Sequence, residues 1–162
     1  MTYPIKQIQA TYTPQEDRIL LTVEMQNQHT YLGWITRRFL TLLLPTLHGQ
    51  HPITGGNMFD DTSYKLKKPQ IKQSKEAVTK SNTPKYPLGT SPLLFSTIRF
   101  SDLKTERAMF TLAPNTGAGI ELPFNSVILN LLLSVLKEPL ELSNWELEHQ
   151  GIYGVPSNHL LQ

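Results

Sequence analysis

The chain has 162 residues, a net charge of +2 and no cysteine. This length is enough to bury a hydrophobic core, and the lack of cysteine excludes disulfides, thiolate metal sites and a cysteine nucleophile. Charged residues make up 17% of the chain, a balance too mild to indicate nucleic acid or a membrane surface by itself. The first residues lack the pattern of a secretory signal, and the longest apolar segments are about half of the roughly 20 residues that a membrane span needs. We therefore expect a cytoplasmic protein with no membrane partner.

Three short segments near the start alternate apolar and polar side chains, which is typical of strands with one solvated face. They cover residues 8–12, 19–25 and 29–35, and a turn signal at 14–17 separates the first two. Short polar turns between alternating segments favour hairpins. The pattern predicts an antiparallel meander of three strands.

A helix is predicted directly after the third strand. Thr36 can act as its N-cap, because its hydroxyl can accept a hydrogen bond from an amide of the first turn. The helix should run from about 37 to 48, with Pro45 kinking or shortening it and Gly49 as a plausible stop.

The second half of the chain repeats this order of elements. Without a gap, residues 18–23 align with 107–112 and residues 39–47 with 128–136. Asn125 stands where Thr36 stands in the first half and is another good N-cap. The predicted strands and helix of this half cover residues 95–100, 107–112, 119–123 and 126–136.

The fold class predicted from these patterns is α+β, with two tandem β-β-β-α units related by a pseudo-twofold axis, antiparallel sheets and packed helices. The units cover residues 1–48 and 93–137, and we expect one compact domain overall. Residues 49–92, rich in Pro, Lys and Ser, are predicted to be a long basic linker, extended or disordered in isolation. An acidic tail follows at 138–162, and its alternation near 140–148 allows a short edge strand.

No pattern in the chain indicates catalysis. His48 and His51, with Asp60 and Asp61 farther on, loosely resemble the composition of a metal site, but metals need three or four convergent ligands on a fixed scaffold. The chain has neither a Gly-x-Ser-x-Gly motif nor a phosphate-binding loop. We therefore expect no enzymatic activity, no catalytic residue, no metal and no cofactor.

Arg37 and Arg38 are the first candidate binding residues. Two arginines in the first turn of a helix oppose its dipole, which favours anions at that end, so they are candidates to contact a phosphate or an acidic partner. Alternatively, their stems cover apolar neighbours or one of them pairs with a carboxylate such as Glu24.

Tyr31 and Trp34 lie just before those arginines and are candidates for a surface on which unpaired bases stack. Strand aromatics are also common in cores. Their positions differ by an odd number of residues, so at most one of them faces the solvated side of the sheet.

The lysines of the linker form the only basic run in the chain. Such runs are usually solvated spacers, but this one could also contact a polyanion or the acidic tail. Its members are Lys65, Lys67, Lys68, Lys72, Lys75, Lys80 and Lys85.

The order of elements in residues 7–48 and 94–136, with strand-to-helix junctions at 33–36 and 122–125, resembles PUR-repeat and whirly-type single-strand nucleic-acid-binding proteins. In those families paired repeats interlock their sheets and cross their helices. Residues 32–39 are also similar to a stretch of small uncharacterised bacterial proteins.

The resemblance implies a non-catalytic module that binds single-stranded nucleic acid. The contacts would come from Arg37, Arg38, Tyr31, Trp34 and the linker lysines, including Lys65, Lys67 and Lys68. The alternative is a structural or adaptor subunit that binds another protein, or a second copy of itself, through its aliphatic helices or the linker.

Overall fold

The computed structural model describes residues 4–59 and 83–145, which form two β-sheets and two α-helices. The first sheet has the strand order β1-β2-β3-β4, and the second has the order β5-β6-β7. In chain order the elements are β1 (Ile5–Thr13), β2 (Arg18–Met25), β3 (Thr30–Ile35), α1 (Arg37–Leu47), β4 (Leu93–Leu94), β5 (Thr97–Ser101), β6 (Met109–Ala113), β7 (Ile120–Pro123) and α2 (Ser126–Ser143). The α+β class is as predicted, and each half has three strands followed by a helix. The prediction of antiparallel sheets is wrong for β4, an additional strand of the second half that pairs parallel with β3. The tandem duplication with a pseudo-twofold axis stays a prediction.

The first sheet has one buried and one outward face, as its sequence alternation predicts. β1, β2 and β3 pair antiparallel. The odd-numbered residues of β2, from Ile19 to Met25, are buried, and the even-numbered ones are half-buried. This regular alternation places every apolar side chain of one parity on the core side of the sheet.

Both helices begin at the caps that the sequence predicts. The Thr36 hydroxyl accepts a hydrogen bond from the Phe39 amide at 3.1 Å, and the Asn125 side chain accepts one from the Ile128 amide at 2.9 Å. α1 continues past Pro45 for two further residues. Gly49 then turns the chain with a left-handed φ of 79°, a conformation that glycine adopts without strain.

α2 is longer than predicted, and the prediction of an edge strand is wrong for residues 140–143. The helix continues through Pro139 to Ser143 and ends at Asn144, which is left-handed with φ 53°. Leu136 and Pro139 are buried and Leu140 is half-buried. Packing of this stripe against the core therefore outweighs the tendency of proline to end a helix. Residues 146–148 lie outside the described residues.

A short segment joins the two sheets. Leu93 and Leu94 form β4, which pairs parallel with β3 at Gly33 and Trp34. The Phe95 amide still donates to the Trp34 carbonyl, whereas the Ser96 amide donates to the Ala113 carbonyl in the second sheet. The chain thus passes from one sheet to the other within two residues.

Each helix packs against the sheet of the opposite half. α2 contacts β1, α1 contacts β5, and the two helices contact each other. Residues from both halves, such as Leu43, Leu112 and Leu132, accordingly belong to one buried cluster. The two halves therefore share one core.

One described end of the predicted linker packs against this core, and the other is joined to the first sheet by backbone hydrogen bonds. Met58 is 3% exposed, and the Phe59 ring stacks on Phe124 at 4.9 Å between centroids. At the other end, the Lys85 amide donates to the Gln28 carbonyl at 2.9 Å. The rest of the predicted linker, residues 60–82, lies outside the described residues.

Candidate functional site

Tyr31 and Trp34 lie on opposite faces of β3. Tyr31 shares its parity with the buried Ile35 and packs against the core. Burial raises the pKa of the Tyr31 hydroxyl above its usual value, and the nearby charge of Glu121 raises it further. Trp34 shares the other parity and faces outward, so of these two aromatics it is the one placed to stack on a ligand.

The outward face of the first sheet carries an apolar row around Trp34. The register places Leu20, Trp34 and Leu94 side by side on β2, β3 and β4. Leu20 and Trp34 are half-buried, whereas Leu94 is 52% exposed. We call this row, together with Arg18 and Leu32, the outer face.

Arg18 covers the indole of Trp34. Its guanidinium carbon lies 3.8 Å from the ring centroid, well within the distance at which a cation is attracted to an aromatic face. The position follows from the register, because Ile19 pairs with Ile35 and Arg18 is therefore a diagonal neighbour of Trp34. Arg18 also forms an ion pair with Glu16 at 3.1 Å, which limits the rotamers of the guanidinium.

Sequence reasoning did not identify Arg18 as a site residue. The position of Arg18 becomes evident only from the pairing of β2 with β3, because that register places Arg18 and Trp34 on the same face of the sheet. Leu94 was also missed, because the two-residue strand that contains it has no periodicity to detect.

Arg37 and Arg38 begin α1 at the same end of the sheet as Arg18. The carboxylate near Arg37 is that of Asp17, whereas Glu24 pairs with Lys6 at 2.9 Å. Arg38 is exposed. Arg18 and the two arginines that begin α1 thus lie at one end of the first sheet, and of the three it is Arg18 that contacts Trp34.

Asp17 ties three parts of the chain together beside this site. Its Oδ1 atom accepts hydrogen bonds from the Tyr12 hydroxyl at 2.6 Å and from the Trp145 indole N–H at 2.9 Å. These two bonds, in that order, lower the pKa of the Asp17 carboxyl, and the charge of Arg37 lowers it further. The same bond to Asp17 raises the pKa of the Tyr12 hydroxyl. The carboxylate therefore anchors the end of α2 to the hairpin of β1 and β2.

The three linker lysines named as candidate contacts, Lys65, Lys67 and Lys68, lie outside the described residues. Within residues 4–59 and 83–145, no group of three or more His, Asp or Glu side chains is placed to hold a metal ion. His51 instead has a local role, since its Nδ1 atom accepts hydrogen bonds from the amides of Ile53 and Thr54.

In the described part of the chain, neither helix is long and apolar enough to cross a membrane. Comparisons with protein-family models, with curated proteins and with solved structures gave no match.

Proposed function

We propose that this protein is a non-catalytic module that binds single-stranded nucleic acid across the outer face of its first sheet. The observation that carries the proposal is the pairing of Trp34 with Arg18, at 3.8 Å, on an outward sheet face. Aromatic and guanidinium planes on an open sheet are a general means of stacking unpaired bases without reading their sequence. In a duplex the same base faces are stacked on one another.

The arginines around Trp34 supply the second element that such a ligand needs. Arg18, Arg37 and Arg38 lie at one end of the first sheet, where β2 begins and β3 leads into α1. Guanidinium groups form strong, directional hydrogen bonds with phosphate oxygens. The lysine-rich sequence of residues 60–82 would add electrostatic attraction without any sequence preference.

The packing of the helices is in keeping with the resemblance to PUR-repeat and whirly-type proteins. α2 packs on β1 and α1 packs on β5, so each helix contacts the sheet of the other half. This arrangement buries the inner faces, whereas Trp34 lies half-buried under the Arg18 guanidinium on the other side of the first sheet. It supports placing the ligand on the sheet rather than on the helices.

The test is fluorescence anisotropy of labelled single-stranded and duplex oligonucleotides titrated with the purified chain at low and near-physiological salt. We expect the single strand to bind more tightly and its affinity to fall as salt rises, because bound counterions are released. Trp34→Leu keeps an apolar side chain but removes the stacking plane, and we expect it to weaken binding by about tenfold or more.

Two arginine variants separate site contacts from general charge. Arg37→Ala/Arg38→Ala should weaken binding and reduce its salt dependence, since fewer phosphate contacts release fewer counterions. Arg107→Ala removes an exposed arginine from the loop between β5 and β6 and serves as the matched control. No binding at low salt, or equal losses in the Arg107 and Trp34 variants, would contradict the proposal.

A second candidate is an adaptor that docks a protein on the same face. It is favoured by Leu94, which is 52% exposed beside Trp34 and Leu20. Of the aliphatic helix residues that the sequence offers for docking, Leu43 and Leu132 are fully buried, whereas Leu131 and Leu133 are half-buried. Binding through an apolar surface should resist salt, so a partner retained at high salt and lost in Leu94→Ser would favour this function.

A further inference from the structure

A separate groove of about 540 Å³ lies at the opposite end of α1 from Arg37 and Arg38. Its walls are the end of α1, the loop of residues 49–59 and the first two turns of α2. The volume falls within the roughly 300–1,000 Å³ that is usual for small-molecule sites. Because the outer face of the first sheet contributes no residue to its described lining, the groove is independent of the proposed nucleic-acid site.

The walls of this groove are held in place by contacts behind them. The Phe59 ring stacks on Phe124, with an interplanar angle of 16°. It also lies beside Gly49, where a Cβ would approach the ring to 2.8 Å. The His51 imidazole accepts a hydrogen bond from the Ile53 amide at 3.2 Å and so fixes the turn in the loop of residues 49–59. The groove is therefore formed before any ligand arrives, which reduces the ordering that binding requires.

The lining of the groove combines polar side chains with an apolar floor. Among the described residues that line the groove there is no Asp, Glu, Lys or Arg. Leu129 is buried and Leu133 half-buried, and together they give the groove an apolar floor. Polar side chains from all three walls surround that floor, namely His48, Gln50, Asn57, Ser126 and Asn130.

Amide, hydroxyl and imidazole groups provide both hydrogen-bond donors and acceptors. An ionic ligand would find no Asp, Glu, Lys or Arg side chain to pair with in this lining, and a purely apolar ligand would make no use of its hydrogen-bonding groups. A sugar has neutral hydroxyl groups that both donate and accept, together with C–H surfaces that can pack on the leucines. We propose that this groove binds a neutral, hydroxyl-rich small molecule, of which a mono- or disaccharide is the simplest form.

The test is titration of the isotopically labelled full chain with glucose, maltose and chitobiose, followed by amide chemical shifts. We expect at least one sugar to give saturable shifts confined to residues 47–57 and 126–133. Asn130→Leu should weaken the binding of that sugar by about tenfold or more. Ser134→Leu alters the same exposed stripe of α2 outside the groove and should leave the affinity unchanged. If Asn130→Leu disturbs the spectrum globally, Ser126→Ala tests the same wall with a smaller change.

Inorganic phosphate is the contrasting probe, because the groove includes the first turn of α2 and helix starts attract anions. We expect phosphate to give no saturable shift at these amides. The proposal is overturned if phosphate binds there and no sugar does, if none of the three sugars saturates at high millimolar concentration, or if the Asn130 and Ser134 variants bind alike. None of these outcomes depends on nucleic-acid binding.

Discussion

The ring of Phe95 lies directly on the backbone of Gly33, in the space that a side chain at position 33 would occupy. Phe95 is 1% exposed and also contacts Phe39, with 5.5 Å between ring centroids. This contact lies where the chain crosses from the first sheet to the second, so it joins the two halves of the core. Glycine at 33 is therefore required by packing and not by its backbone angles.

Gly33→Ala should destabilise the protein, because the new methyl group would overlap an aromatic ring that is enclosed on all sides. Overpacking of a core in this way costs about 1–3 kcal/mol. Urea unfolding followed by circular dichroism gives the change in the free energy of unfolding. Gly56→Ala is the matched control, since the nearest atom is an ordinary 3.5 Å away, and its effect should stay within about 0.5 kcal/mol. Equal effects of the two substitutions would contradict the packing described for Phe95.

The hydrogen bond from the Trp145 indole to the Asp17 carboxylate should depend on pH. The folded-state pKa of Asp17 lies below its unfolded value, first because of the Tyr12 hydroxyl and then because of the Trp145 indole. The stabilisation from this carboxylate is therefore present above the unfolded pKa of Asp17 and is lost as the pH falls through its folded pKa. The indole N–H resonance of Trp145 should move over that acidic range. Asp17→Asn should abolish the movement, and a shift that persists in this variant would have another cause.

The hydrogen bond between Tyr12 and Asp17 should also make stability depend on alkaline pH, where stability is lost as the pH rises. The bond to Asp17 raises the folded-state pKa of Tyr12 above its unfolded value. Its contribution to stability is present below the unfolded pKa and is lost as the pH rises through the folded pKa, when the hydroxyl can no longer donate. Absorbance titration of the phenolates in the wild type and in Asp17→Asn compares the pKa of Tyr12 in the two proteins. The Tyr12 titration should move to lower pH in the variant, and an unchanged titration would show that Asp17 does not hold the proton.

Local chemistry explains why most elements could be predicted from the sequence and a few could not. The strands of the first sheet follow from the alternation of apolar and polar residues. Each N-cap follows from one side chain that bonds to a nearby backbone amide. Both signals are local in the sequence. The end of α2 depends on burial of Leu136 and Pro139 against distant residues, and the local sequence pattern does not show that burial.

The candidate site shows the same division. Parity alone indicates that Tyr31 and Trp34 face opposite ways, but which of them faces solvent depends on the side that the helices cover. Arg18 reaches Trp34 only through the pairing of β2 with β3, and Phe95 reaches Gly33 only through the crossing between sheets. These contacts join positions far apart in sequence, and one chain without its register does not reveal them.

The two helix caps should each contribute measurably to stability. Thr36→Ala and Asn125→Ala remove the side-chain acceptors for the Phe39 and Ile128 amides, and loss of such a cap costs about 0.5–2 kcal/mol. Thr36→Ser keeps a hydroxyl and should retain most of the stability. Thermal or urea unfolding compares the three variants. If Thr36→Ser is as unstable as Thr36→Ala, the hydroxyl does not act as the cap.

The contact between Arg18 and Trp34 should be measurable in the free protein as a coupling energy. A guanidinium over an indole that is partly exposed to water is worth about 0.5–1 kcal/mol. A double-mutant cycle with Arg18→Gln, Trp34→Leu and the double variant isolates this term, because each single change removes the contact. Glu16→Gln added to the cycle shows how far the ion pair with Glu16 holds the guanidinium in place.

A coupling energy near zero would mean that Arg18 does not rest on the indole in solution. The stacking surface proposed for nucleic acid would then have to be ordered by the ligand, and its affinity would be reduced by the entropy of ordering that side chain. A clear coupling energy would instead mean that the aromatic and guanidinium planes are already arranged before binding. In that case Arg18→Gln should weaken single-strand binding by more than Arg107→Ala does, since it removes a preformed part of the surface as well as a charge.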